Sequence, residues 1–223
     1  MSDKQPQSDP TIGARTLAIA EIISVALSCL IAEWVFLSFL SRYRWLVIIP
    51  LLLAVSFMVL SHKAYKESLY DLGFRSDNFL PALRLLVVPT LIAVAIIFLL
   101  GWYLTGPPSV PRLLRPRLLF VPAWALFQQY ALQGYINRRA QTALGKGGGS
   151  ILLVASVFAI LHLPNPVLAV VTLVGGLIWA AIYQREANLF ALAASHTVAS
   201  ISLAMALPLN VINGLRVGFK YFG

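Results

Sequence analysis

The sequence predicts an all-α, polytopic transmembrane helix bundle of about seven spans. Three observations carry this. Apolar residues make up 59% of the 223 residues and charged residues only 11%, whereas a soluble domain carries about 25% charge. The apolar residues come in runs of the length that crosses a bilayer, about 20 residues. The basic residues fall in the short gaps between those runs, at Arg42 and Arg44, Lys63 and Lys66, Arg112, Arg115 and Arg117, and Arg138 and Arg139. A net charge of +9 spread in this way suits anionic headgroups rather than nucleic acid. The expected partner is therefore the lipid bilayer, with no nucleic acid.

Taken in order, the spans fall at roughly 16–40, 45–61, 83–104, 117–138, 150–163, 167–184 and 188–208. Residues 1–15, with Asp3, Pro6, Asp9 and Pro10, form a polar tail. They lack a basic n-region, and the next apolar run is too long for a signal peptide, so it reads as a retained first span. Cys29, the only cysteine, lies within that run and is expected to be a small buried hydrophobe. His62, beside Lys63 in the gap after the second span, reads as solvated. The fifth span is short. Gly147-Gly148-Gly149 gives it a flexible entry and Pro164-Asn165-Pro166 ends it, so spans five and six should form a tight hairpin that does not cross fully. Gly175-Gly176 in span six favours close helix–helix approach. Asn188 opens span seven as its N-cap. Alternating the spans puts more Lys and Arg on the N-terminal side, which favours a cytoplasmic N-terminus.

Function should show where polar groups sit at membrane depth, because each costs free energy unless paired. These are Glu21 and Glu33 in span one, Gln128, Gln129 and Gln133 in span four, His162 ending span five, and His196 with Ser200 in span seven. Gln129 and Gln133 are four apart and share a helix face, with Gln128 about 100° round from Gln129. Phe158 and His162 are one turn apart, as are His196 and Ser200. One histidine alone reads as a helix–helix hydrogen bond. The whole set, drawn from three helices, is expected to converge on one polar pocket.

These residues carry a pattern. "QQYALQG" (128–134), "FAILH" (158–162) and "HTVAS" (196–200), with "GGLIWAAIYQREANLF" (175–190) and "DLGFR" (71–75), resemble the CAAX protease and bacteriocin-processing (CPBP) family. That family includes the type II CAAX prenyl endopeptidases. Its motifs run Glu-Glu-x-x-x-Arg, then Phe-x-x-x-His, then His-x-x-x-Asn. The resemblance divides the chain into a tail at 1–15, N-terminal transmembrane helices at 16–67, a CPBP-like core at 68–203 and a C-terminal tail at 204–223. It implies an intramembrane endopeptidase in which Gln128 takes the place of the water-activating glutamate, Gln129 that of its neighbour and Gln133 that of the arginine. It gives His162 the water-partner role, and His196 and Ser200 the oxyanion positions. It further implies an integral, multi-pass location, the cytoplasmic membrane of a prokaryote, and membrane-associated peptides or proteins as substrates. No cofactor is expected.

The departures bear on mechanism. Glutamine accepts no proton at neutral pH, so Gln128 is not a general base. No acidic residue lies between Asp77 and Glu186 to replace it. Changing both carboxylates and the guanidinium together strands no buried charge, whereas losing one partner would cost about 3–5 kcal/mol. A ladder from Gln129 to Gln133, with Gln128 alongside, would keep the helix contacts. Two readings follow. The first is an active endopeptidase with His162 as base, Gln128 orienting the water, and His196 with Ser200 polarising the carbonyl, or with a carboxylate arriving from Glu33 or Glu21. The second is a catalytically impaired relative that binds a membrane peptide or partner helix in the same cavity. A zinc enzyme is disfavoured, since two histidines and amides make a poor ligand set. A transporter ranks below both readings, because the polar residues gather in one pocket rather than along a path.

Overall fold

The computed structural model describes residues 12–36, 38, 41–106 and 119–223. Helix α1 (Ile12–Leu30) continues as a π-helical turn, Ile31–Phe36. A tighter turn, Ser41–Val47, leads into α2 (Ile48–Ala64), and α3 follows at Phe79–Thr105. Helix α4 (Val121–Gln129) runs through a second π-helical turn, Tyr130–Asn137, into α5 (Arg138–Leu144). Then come α6 (Gly148–Ile160), α7 (Pro166–Arg185), α8 (Leu189–Ala206) and the short α9 (Leu209–Ile212). Each predicted span therefore has its helix. Most of the predicted tail and Arg112, Arg115 and Arg117 lie outside the described residues.

Among the described residues, five helices are long and apolar enough to cross a membrane: Ile12–Phe36, Trp45–Ala64, Phe79–Thr105, Pro166–Arg185 and Leu189–Ala206. At 1.5 Å per residue, the 13 residues of α6 reach only about 20 Å, short of the roughly 30 Å hydrocarbon core. Helix α6 packs along α7, as a hairpin requires. Gly176 explains how closely: a Cβ there would stand 2.9 Å from the Cα of Ala155. Helix α8 is the most enclosed spanning helix and packs against α3 and α4. Helix α3, the least enclosed, presents Leu91 and Leu99 outwards, as a lipid-facing helix does. The chain is an integral, multi-pass membrane protein.

Local reasons for the element ends are visible. Asn165 and Asn188 cap α7 and α8, their side chains accepting from the Leu168 and Ala191 N–H groups. Asn165 also donates to the carbonyls of Ile212 and Arg216, fastening the C-terminal segment to this turn. The three glycines ahead of α6 do not form the expected flexible entry. The helix starts at Gly148, and the Gly147 N–H donates to Gln184 Oε1 at 2.9 Å.

Three further expectations change, all through one buried charged cluster. Span four was expected to end at its arginines, but α5 continues to Leu144. Arg139 does not face headgroups; it is 1% exposed, paired with Glu21 at 2.8 Å and Glu67 at 2.9 Å, and lies 3.9 Å over the Tyr65 ring. His62 is not solvated. It is buried against Tyr130 and Tyr135, with Nδ1 2.7 Å from Glu67 Oε2. Glu21 also accepts from Ser61 Oγ at 2.8 Å, so this glutamate ties α1 to α2 and α5.

Glu67 sits in the loop after α2. Burial alone would raise its pKa, but hydrogen bonds from His62, Arg139 and Arg138 outweigh this and hold it well below the ordinary carboxylate range. A depressed folded-state pKa contributes stability that is complete above the unfolded value, about 4.3, and shrinks as pH falls towards the folded one. The melting temperature in detergent should therefore fall below about pH 4, and Glu67→Gln should flatten that acid limb while lowering stability at neutral pH. An unchanged acid limb in Glu67→Gln would show that the cluster does not depend on this carboxylate.

Candidate functional site

The bundle forms a partly open cavity of about 370 Å³, within the roughly 300–1,000 Å³ range of ligand pockets. Its lining is mainly apolar, with Trp124, Phe127, Leu132, Leu168, Val171 and Leu203 among the contributors. Set into this surface are Gln128 from α4, His162 from the turn after α6, and His196 and Ser200 from α8. Four of the six residues singled out by sequence spacing thus meet on one cavity. Thr172, Cys29 and Glu33 complete its polar and polarizable lining.

Gln129 and Gln133 do not line it. Gln128 and Gln129 are consecutive on α4, so they point about 100° apart, and with Gln128 on the cavity Gln129 faces α8. Its Nε2 lies 3.2 Å from His196 Nδ1. An amide nitrogen can only donate, so Nδ1 accepts and the ring proton of neutral His196 belongs on Nε2. His162 has the opposite arrangement. Its Nδ1 lies 2.7 Å from the Phe158 carbonyl oxygen. A carbonyl can only accept, so Nδ1 carries the proton and Nε2 keeps the lone pair. The cavity is therefore furnished with one imidazole acceptor and one imidazole donor.

Phe158 and Trp179 hold the two rings. The Phe158 ring meets His162 edge-on at 4.7 Å and His196 edge-on at 5.9 Å, so this one phenyl contacts both imidazoles. Trp179 lies over His196 with centroids 4.5 Å apart, and its Nε1–H donates to Ser195 Oγ at 3.0 Å. Ser195 is in turn hydrogen-bonded to Thr90 of α3 at 2.7 Å.

The expected ladder from Gln129 to Gln133 is not the one that forms. Gln133 Oε1 accepts from Asn137 Nδ2 at 2.7 Å, and Asn137 Oδ1 accepts from Gln141 at 3.0 Å and Gln184 at 2.9 Å. Gln184 Nε2 also donates to Ser150 Oγ. This amide network joins the π-helical turn after α4 to α5, α6 and α7. Asn137 and Gln184 were missed in the sequence, although the spacing of Gln133, Asn137 and Gln141 at four-residue intervals was a usable signal. Beyond its bond to Asn137, Gln133 keeps an Nε2 with no partner among the described residues, as does Gln129 Oε1.

An all-α multi-pass membrane bundle with two imidazoles and an amide on one cavity is the class that fold and site define. Residues 111–202, the segment that bears the site, match the family model described as Type II CAAX prenyl endopeptidase Rce1-like, so this segment is similar to the CPBP family of CAAX-type proteases. The match contains Gln128, His162, His196 and Ser200, and begins after α3 and the loop at 71–75. No curated protein and no solved structure matched the chain.

Proposed function

We propose that the protein is an intramembrane endopeptidase that hydrolyses peptide bonds in membrane-associated peptides or protein tails. In this reading it lies in the cytoplasmic membrane of a prokaryote. The observation that carries the reading is the shared cavity, where an imidazole acceptor and an imidazole donor line the same apolar space. A water held by His162 Nε2, and oriented by Gln128, attacks the scissile carbonyl carbon. The carbonyl π pair moves to oxygen, and that oxyanion takes hydrogen bonds from His196 Nε2–H and Ser200 Oγ–H. Collapse of the intermediate breaks the C–N bond, and the proton taken from water leaves with the amine. The apolar lining suits substrates with hydrophobic side chains.

The amide at Gln128 supports a second reading, a catalytically impaired relative that binds a membrane peptide or partner helix in the same cavity. The two readings separate on purified protein in detergent with a library of apolar peptides. Cleavage by the wild type supports the protease. A silent wild type, with cleavage appearing in the Gln128→Glu, Gln129→Glu, Gln133→Arg triple variant, supports the binding protein and ends the protease reading.

A further inference from the structure

We propose that Glu33, on the first helix, supplies the proton-accepting carboxylate that the motif on α4 lacks. This rests on the endopeptidase reading and adds to it the base. Among the described residues, Glu33 is the single carboxylate on the cavity lining. It arrives there by register. Val25, Cys29 and Glu33 all line the cavity and are spaced at four-residue intervals, so one stripe of the first helix forms that side.

Two further observations set Glu33 apart from the other acids. The buried carboxylates of Glu21 and Glu67 are paired with Arg139. Glu33 Oε2 is buried with no hydrogen-bond partner among the described residues, and Lys220 acts on this carboxylate through its charge without a hydrogen bond to it. An unmet buried acceptor is costly, and more so for a charged group, so its retention calls for something that it binds. A hydrolytic water, which has two O–H groups to donate, is such a ligand.

The backbone also ties Glu33 to the His162 turn. Gly218 packs on Glu33 so closely that a Cβ would stand 2.7 Å from the Glu33 Cβ and 3.0 Å from its carbonyl oxygen. The Gly218 N–H donates to the carbonyl of Leu163, the residue after His162, at 2.9 Å. One glycine therefore bridges the residue that bears the carboxylate and the turn that bears the imidazole. The π-helical turn at Ile31–Phe36 adds a local distortion of a kind often found at functional sites.

The step balances as follows. Glu33 takes one proton from the water while the second O–H donates to His162 Nε2. The hydroxide equivalent adds to the carbonyl carbon, and the protonated Glu33 then delivers its proton to the departing amine, regenerating the carboxylate.

The test compares wild type, Glu33→Gln, Glu33→Asp and His162→Ala as purified full-length proteins cleaving the same peptide in detergent. Glu33→Gln should lower kcat by about 10²–10⁴ with KM little changed, and Glu33→Asp should retain part of the rate. Full activity in Glu33→Gln, with activity lost in His162→Ala, overturns the role of Glu33 and leaves the protease reading intact. A silent wild type overturns that reading and this proposal together. A second measurement is independent of variant folding: dicyclohexylcarbodiimide, an apolar carboxyl reagent, should modify Glu33 of the wild type, located by mass spectrometry, and substrate peptide should protect it. Absence of label at Glu33 overturns the proposal.

Discussion

Alanine at position 162 is expected to lower kcat/KM for peptide cleavage by about 10²–10⁴, the usual contribution of a residue that activates a nucleophile. The reasoning is geometric. The ring is fixed by the 2.7 Å bond from Nδ1–H to the Phe158 carbonyl and by the edge-on contact with the Phe158 ring. That leaves Nε2 as the acceptor for water, and alanine has none. The fold should survive, since the loss is one hydrogen bond, about 1 kcal/mol, and one edge contact. His196→Ala should cut activity for a different reason, by removing a donor to the oxyanion. The pair should be less than additive if both act in one transition state. Cleavage that persists in both single variants would rule out this chemistry.

The largest stability effect is expected at Arg139. Arg139→Met should destabilise the protein by about 3–5 kcal/mol, because one partner of a buried ion pair would be left alone. The cluster indicates which. Glu67 keeps Arg138, at 2.6 Å, and His62, at 2.7 Å. Glu21 keeps only the Ser61 hydroxyl among its described side-chain partners. Glu21→Gln in the Arg139→Met background should therefore recover much of the loss, whereas Glu67→Gln in that background should not. The measurement is the melting temperature of the single and double variants in one detergent, where the single change should amount to on the order of 10 °C. Equal melting temperatures for wild type and Arg139→Met would mean that this cluster does not hold α1 against α5.

Much of this architecture was legible because hydropathy and helical spacing are local signals. Apolar run length located a helix for each predicted span, five of them long and apolar enough to cross a membrane among the described residues, and Asn188 was recognisable as a cap from its position ahead of an apolar run. Spacing also brought His162, His196, Ser200 and Gln128 together, since one-turn neighbours on different helices share an interior only if those faces converge. What the sequence hid was long-range. His62 looked solvated beside Lys63, yet its partners are Glu67 across a turn and the rings of Tyr130 and Tyr135 from another helix. Arg139 resembled a headgroup contact because nothing nearby in sequence announced Glu21 as its partner. Gln133 was read with Gln129, but Asn137 offered a closer amide on the same π-helical turn. Glu33 and Glu21 were equivalent in sequence, two acids on one span. Packing separates them, sending Glu21 to Arg139 and Glu33 to the cavity.

Thiol accessibility tests the central arrangement most directly. In a Cys29→Ser background, single cysteines at Gln128 and Ser200 on the cavity, and at the outward-facing Leu99 of α3, would be exposed to a small hydrophilic thiol reagent in lipid vesicles. The account predicts labelling at positions 128 and 200, protection of both by an apolar substrate peptide, and no labelling at position 99. Unreactive thiols at 128 and 200, or labelling there that the peptide leaves unchanged, would contradict a common water-filled site.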